Sequence, residues 1–280
     1  MSEDLRFTED LQQLAAEACD IARRLCSSCE NFHLLWPYLR LAKASGGDVD
    51  EPHFRAALNH LLSGRGQKIL IAGAADTGLL AVVARAASSD PKIVVVDRCE
   101  TPLELCRRFA DRWSLPIKTL QMDLTNFDVG SAFDVVVVHS LLQFIPADRR
   151  VDVLSRLRQS LRPGGRLLLV FRTSARIEGS LLREYRETYS KSLIERVEEM
   201  NIPLPERRED FRRRVDEYSE ERRTREGAHQ NRATVEQLIE AAGFSIEELT
   251  LIEANHSTPF RQLTAKINKQ RFLMVAKPKV

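Results

Sequence analysis

FDVVVVHSLLQFIPADRRVDVLSRLRQSLRPGGRLLLVF, residues 133–171, is the stretch that decides how this chain folds. Residues 133–138 and 166–171 are almost unbroken apolar runs of Val, Leu and Phe, the pattern of strands covered on both faces. Between them Val151, Leu154, Leu157 and Leu161 recur at three- and four-residue steps, which marks one face of a helix. Arg162-Pro163-Gly164-Gly165 then turns the chain into the second run. A strand, a helix and a second strand in this order make the unit from which mainly parallel sheets are built.

The same alternation extends outward. KILIA (68–72), KIVVVD (92–97) and IKTLQMD (117–123) read as earlier strands, a further strand follows Gly243, and RFLMVA (271–276) reads as the last. Thr101-Pro102-Leu103-Glu104 and Thr234-Val235-Glu236-Gln237 have the form of capping boxes. Residues 67–173 and 231–280 are therefore expected to form one doubly wound α/β domain. Residues 1–66 lie outside this rhythm and read as a helical extension. Leu11, Leu14, Ala15, Ala18, Ile21, Ala22 and Leu25 form one apolar stripe. A second helix is predicted over 32–42 with Pro37 at a kink or restart, ended by Ser45-Gly46-Gly47. A third is predicted with Asp50 as its cap, Pro52 in its first turn and Gly64 past its end. Residues 174–230 read as a helical insertion. Glu206–Glu226 holds eight Arg and eight acids, which predicts a solvated, ion-paired face rather than an anion-binding patch.

Chemistry concentrates at the strand ends. The first strand runs into Gly73-Ala74-Ala75-Asp76-Thr77-Gly78, a turn where glycine lets a ligand approach the backbone and the next helix offers free N–H groups. Asp97 ends the second strand 19 residues beyond Gly78, the place from which an acid accepts ribose hydroxyls in Rossmann-like sheets. Asp123 ends the third, where its carboxylate can accept an adenine amino group while the Leu124 N–H meets a ring nitrogen. His139 follows the fourth strand as a candidate general base.

On these residues the chain resembles the class I, Rossmann-like S-adenosylmethionine-dependent methyltransferases of small-molecule type. Phe133-Asp134, the apolar loop Leu141–Pro146 and Leu161-Arg162-Pro163-Gly164-Gly165 carry the resemblance, and Thr234–Phe244 (TVEQLIEAAGF) looks like the helix before the sixth strand. The resemblance implies a seven-stranded sheet with an antiparallel last strand and S-adenosyl-L-methionine as cofactor. Its binding set would be Ala72, Gly73, Ala74, Gly78, Asp97, Arg98, Asp123, Leu124 and His139. The chain departs from the family at the glycine turn: the middle glycine is missing, and Ile71 and Ala72 stand where an acid is expected to hold the methionine amino group. Asp76 is the candidate substitute. Inserts after the fifth strand commonly cover the acceptor pocket in that family. The extension and the insertion are therefore expected to form a lid, with Trp36, Tyr38, Arg40, Arg183, Tyr185 and Tyr189 as candidate wall residues, although an amphipathic structural helix also explains the two tyrosines.

Direct methyl transfer needs alignment in a closed pocket more than acid–base help, because a sulfonium is already a strong electrophile. Other readings are aminocarboxypropyl transfer from the cofactor or its cyclisation, and a non-catalytic binding protein. An NAD-dependent oxidoreductase fits less well, since the turn also fails Gly-x-Gly-x-x-Gly and Tyr185 is not followed by Lys four residues on. A net charge of +2 gives no argument for a nucleic-acid partner, and no apolar run approaches a membrane span. The acidic, polar start and the odd count of five cysteines point to a reducing cytoplasm, and monomer or homodimer stays open. Cys26-x-x-Cys29, with Cys19 and His33 nearby, has zinc-like spacing, but no second pair follows and the segment reads as helix, so no metal is expected.

Overall fold

The computed structural model describes residues 3–26, 29, 32–41, 47–62, 64, 66–87, 90–224, 231–252 and 269–279. Seven strands form one sheet: β1 (Lys68–Ala72), β2 (Lys92–Asp97), β3 (Ile117–Gln121), β4 (Phe133–His139), β5 (Leu161–Thr173), β6 (Phe244–Ile252) and β7 (Gln270–Pro278). Their order is β3-β2-β1-β4-β5-β7-β6. The first five run parallel, and β7 lies antiparallel to both β5 and β6. The order reverses between β2 and β4 on either side of β1, which opens a crevice beyond the carboxyl ends of the strands. β5 begins earlier than the apolar run suggests. Leu161 pairs with Phe133, and the Pro-Gly-Gly segment is absorbed into the strand as a register shift. Asp134 holds that region together by accepting the Lys68 N–H at 2.7 Å and pairing with Arg162.

Strand residues alternate between two cores, as a period of two requires. Ile69, Ile71, Val135, Val137, Leu168 and Val170 face α3 (Gly47–Leu61), α4 (Gly78–Ala86) and α5 (Glu100–Trp113). Leu70, Ala72, Val136, Val138, Leu167 and Leu169 face α6 (Arg150–Ser160) and α9 (Arg232–Ala241). A third core is mainly helical. It joins α1 (Glu3–Leu25) and α2 (Phe32–Leu41) to α7 (Gly179–Glu199) and α8 (Arg208–Thr224) through residues such as Leu35, Leu39, Leu193 and Phe211. α1 is also clamped to α5: Arg108 and Arg112 each donate to Glu17 at 2.8 Å.

Local details differ from the sequence reading. Pro37 lies inside α2 and does not end it. α3 starts at Gly47, ahead of Asp50, so Asp50 is not its cap. Ala42, Ser45 and Gly46 lie outside the described residues. α5 is capped by Cys99 and takes in Thr101, while Glu104 serves Arg107 and Arg108 instead of a capping box. α9 is capped by Asn231, whose side chain accepts the Thr234 N–H at 2.8 Å. In both cases an extended N-cap lies upstream of the Thr, with no side-chain bond from Cys99 and with one from Asn231, so the Thr falls in the first turn. The charged insertion pairs internally as expected: Arg208 with Glu198, Arg214 with Glu206, and Arg207 and Arg213 with Asp210. Residues 225–230 lie outside the described residues. Among those described, no helix is long and apolar enough to cross a membrane.

Candidate functional site

β1 ends in wholly buried Ile71 and Ala72. Gly73 then turns the chain with φ +80°, and its N–H donates to the Val96 carbonyl at 2.8 Å. That conformation favours glycine, and a Cβ there would also press on the Leu141 side chain, with Cδ1 at 2.8 Å. The Ala74 N–H donates to Asp97 Oδ2 at 2.9 Å, and the Cys99 N–H to Asp97 Oδ1 at 2.7 Å. Two backbone donors thus fix the carboxylate and leave lone pairs on both oxygens for a ligand. Burial pushes the Asp97 carboxyl above its usual range against the pull of those two N–H groups.

Asp76 occupies the middle of the turn. Its Oδ1 accepts the Gly78 N–H at 2.8 Å and an Arg40 Nη1–H at 3.0 Å. Arg40 comes from α2, and its guanidinium rests on Gly78 so closely that a Cβ there would overlap Nη1. The pair is largely buried. It sets an acid and a base side by side, the complement of an amino acid's zwitterion. Asp123 is exposed and caps the 3-10 helix Leu124–Asn126 by accepting the Thr125 N–H at 2.8 Å; that bond holds its carboxyl below the usual range.

The turn after β1, Arg40 and the acids at the ends of β2 and β3 line one cavity of about 630 Å³. Gly73, Ala74, Asp76, Gly78, Asp97, Arg98, Asp123 and Leu124 make one wall, with His139 at the end of β4. Phe32, Trp36 and Phe54 from the N-terminal helices and Tyr218 from α8 close over it. Phe32 is the hub of this roof, with ring centroids 5.2 Å from Trp36, 5.1 Å from Phe144 and 6.2 Å from Tyr218. The His139 ring stands edge-on to Phe54 at 6.0 Å. Ser140, next along, has φ +55°, a conformation costly for a non-glycine residue and typical of functional turns. Gln143 and Arg172, joined at 2.6 Å, complete the far side.

Five of the expected residues are not on the cavity wall, among them Arg183, which is exposed. Ala72 is sealed in the core, and the cavity wall starts one residue later. Tyr38, Tyr185 and Tyr189 are not on the cavity wall; they belong to the helical core. The Tyr185 and Tyr189 rings stack there with centroids 5.8 Å apart, and the Tyr38 hydroxyl donates to the Pro203 carbonyl. On α2, Arg40 and Trp36 face the cavity and Tyr38 faces the insertion. Phe32, Phe54, Gln143, Phe144, Arg149, Arg172 and Tyr218 were not foreseen as site residues. Aromatic rings at helical spacing ordinarily mean core, and no local signal separates roof from core.

A second grouping adjoins the cavity. Cys26, Cys29, His33 and Cys99 bring their ligand atoms within 4.8 Å of one another. Cys19 is not among them; its thiol donates to the Leu34 carbonyl at 3.2 Å. The missing partner of the Cys26-x-x-Cys29 pair is therefore Cys99, far away in sequence. Hydrogen bonding to Cys99, and then to His33, pulls the Cys29 thiol down to about 3. Burial alone would lower His33, but its bonds to Cys26 and Cys29 hold it up at about 9.

Residues 69–165 match the family model described as a methyltransferase domain. The chain is 39% identical over 80 residues to the carboxy-S-adenosyl-L-methionine synthase of Photorhabdus laumondii, a match covering 28% of this chain and 31% of that protein. The chain thus spans about a third of the length of the curated relatives it matches. Among solved structures, it superposes on the 1,6-didemethyltoxoflavin-N1-methyltransferase of Burkholderia thailandensis with a TM-score of 0.51 at 16% identity, covering 89% of this chain and 91% of that one. It superposes on the cyclase SpnF with a TM-score of 0.54 at 12% identity, covering 81% of each. These likenesses concern the fold.

Proposed function

We propose that this chain, whose residues 69–165 match a methyltransferase-domain model, transfers the methyl group of S-adenosylmethionine to a small-molecule acceptor held under the aromatic roof. One observation carries the reading: the expected cofactor-binding residues and the aromatic side chains of the N-terminal helices line a single cavity, with His139 also on its wall. The cofactor, when bound, supplies an electrophilic methyl group on a sulfonium. Asp97 accepts the ribose hydroxyls, Asp123 and the Leu124 N–H face the adenine, and the Asp76–Arg40 pair receives the amino and carboxylate groups of the methionine end. Arg40 thereby replaces a contact the altered glycine turn has lost. Phe32, Trp36, Phe54 and Tyr218 exclude water and hold the acceptor in line, which is most of what such a transfer needs. His139, on the wall of the same cavity, takes a proton from an acceptor that must lose one in this reading. The helices of the roof act as the lid.

A second reading is modification of the cofactor itself, as the name of the matched synthases says of them. Arg40, Arg98, Arg149 and Arg172 on the cavity wall suit a carboxylate-bearing partner. The test is calorimetry with S-adenosylhomocysteine, followed by turnover of labelled cofactor with a metabolite extract and mass analysis of the products. A methylated acceptor plus S-adenosylhomocysteine supports the first reading. A carboxylated cofactor supports the second. Binding without any turnover would overturn both in favour of a non-catalytic role.

A further inference from the structure

We propose that Cys26, Cys29, His33 and Cys99 bind one zinc ion, which fastens the N-terminal helices to the cofactor-binding wall. The donor set is the first ground. Three thiols and one imidazole are the Cys₃His ligands of structural zinc, and this borderline-soft set selects zinc over magnesium or calcium. Geometry is the second. Bond lengths of about 2.3 Å to sulfur and about 2.0 Å to nitrogen place tetrahedral ligands roughly 3.5–3.8 Å apart. Cys26 Sγ and His33 Nδ1 stand 3.5 Å apart, and no pair in the group exceeds 4.8 Å, so small side-chain adjustments complete the tetrahedron.

The surroundings are the third ground. His33 and Cys99 are each only 4% exposed, which shields the centre from competing water. Thr101 is wholly buried beside Cys99, with both its N–H and its hydroxyl facing the Cys99 sulfur. A hydroxyl there is positioned to donate to a metal-bound thiolate, the outer contact that ligating groups ordinarily require. With four protein ligands the site is closed, so the ion has a structural role and no open position for catalysis. Binding releases whatever protons the thiols and the imidazole still hold, and no oxidant is needed. A disulfide explains the group less well, since any one bond leaves a third thiol and a buried imidazole in place.

The placement says what the ion does. Cys26, Cys29 and His33 lie at the junction of α1 and α2, and Cys99 caps α5. His33 precedes Trp36 by three residues and Arg40 by seven, so the ion anchors the helix that forms the roof and supplies the guanidinium. The Cys99 N–H orients the Asp97 carboxylate, so the same ion steadies the ribose acid. Loss of the metal is therefore expected to free the roof and weaken cofactor binding together.

The test uses the full chain purified without chelator. Plasma mass spectrometry is expected to find one zinc per chain, and cobalt substitution is expected to give the intense visible and thiolate charge-transfer bands of a tetrahedral sulfur-rich centre. Cys99→Ser and Cys26→Ser should lose the metal, while Cys19→Ala and Cys106→Ala should keep it. If the serine variants fail to fold, X-ray absorption at the zinc edge of the unaltered protein still counts three sulfurs and one nitrogen. Protein that takes up neither zinc nor cobalt overturns the proposal, as does a disulfide among Cys26, Cys29 and Cys99 in protein isolated under argon. Full metal content in Cys99→Ser would overturn the ligand assignment. None of these readouts depends on methyl transfer, so the zinc site and the proposed reaction stand or fall separately.

Discussion

Replacing Asp97 by Asn removes one charge and converts one oxygen to a donor while keeping the shape of the side chain. In the folded protein each Asp97 oxygen already accepts one backbone N–H, from Ala74 at 2.9 Å and from Cys99 at 2.7 Å. Whichever way the amide turns, its NH₂ faces one of those donors. One backbone N–H therefore loses its partner, and the ligand loses one charged acceptor. Hydrogen bonds to charged groups contribute about 1.5–3 kcal/mol each. The expected loss of S-adenosylhomocysteine affinity is about 2 kcal/mol, or roughly 30-fold. Calorimetry below the unfolding temperature measures it, and thermal unfolding of the ligand-free protein separates the cost to the fold. Affinity within about twofold of wild type in a folded Asp97→Asn protein would refute the ribose assignment, because a single charge-assisted bond should be worth more than that.

Arg40→Met is expected to weaken S-adenosylhomocysteine by about tenfold while leaving 5′-methylthioadenosine unchanged, since only the former has the amino-acid end; equal losses for both would place Arg40 elsewhere. Gly78→Ala should reproduce that selectivity, because the new Cβ pushes the end of Arg40 off Asp76, and the loss of that largely buried pair should also lower stability in the unfolding assay. Tyr189→Ala should cost about 3–5 kcal/mol in chemical denaturation without changing cofactor affinity in the folded protein, because its ring is buried away from the cavity. Glu17→Gln should destabilise the fold by about 0.5–1 kcal/mol, a modest figure because the pair is partly exposed. Burial raises the Glu17 carboxyl, but its bonds to Arg108 and Arg112 outweigh that and hold it below the usual value. Its contribution is therefore present above the ordinary glutamate range and lost as pH falls through the lowered value, and the gap between wild type and Glu17→Gln should close under acid in the same unfolding assay.

The sequence by itself determined the sheet and half of the cavity wall. Unbroken apolar runs such as Val135–Val138 and Leu167–Val170 need cover on both faces, and the helical stripe at Val151, Leu154 and Leu157 supplies it, so the parallel α/β order follows from local pattern. Gly73 with Asp97, and Asp123 with Leu124, are legible for the same reason: each sits where a strand ends, and a strand end is visible in one dimension. Tertiary structure alone decided the other half. α2 carries Trp36, Tyr38 and Arg40 within five residues, yet only Trp36 and Arg40 reach the cavity, because docking against α7 and α8 turns Tyr38 into the helical core. The same docking buries Tyr185 and Tyr189 and brings Tyr218 to the roof. Cys99 reads in sequence as a lone thiol after a strand, and it becomes the fourth member of a Cys₃His group only when α1 and α2 fold back on α5. Local periodicity says which face of a helix is apolar. It does not say which neighbour that face will meet, and the roof, the guanidinium on the glycine turn and the thiol cluster are all made of such meetings between segments distant in the chain.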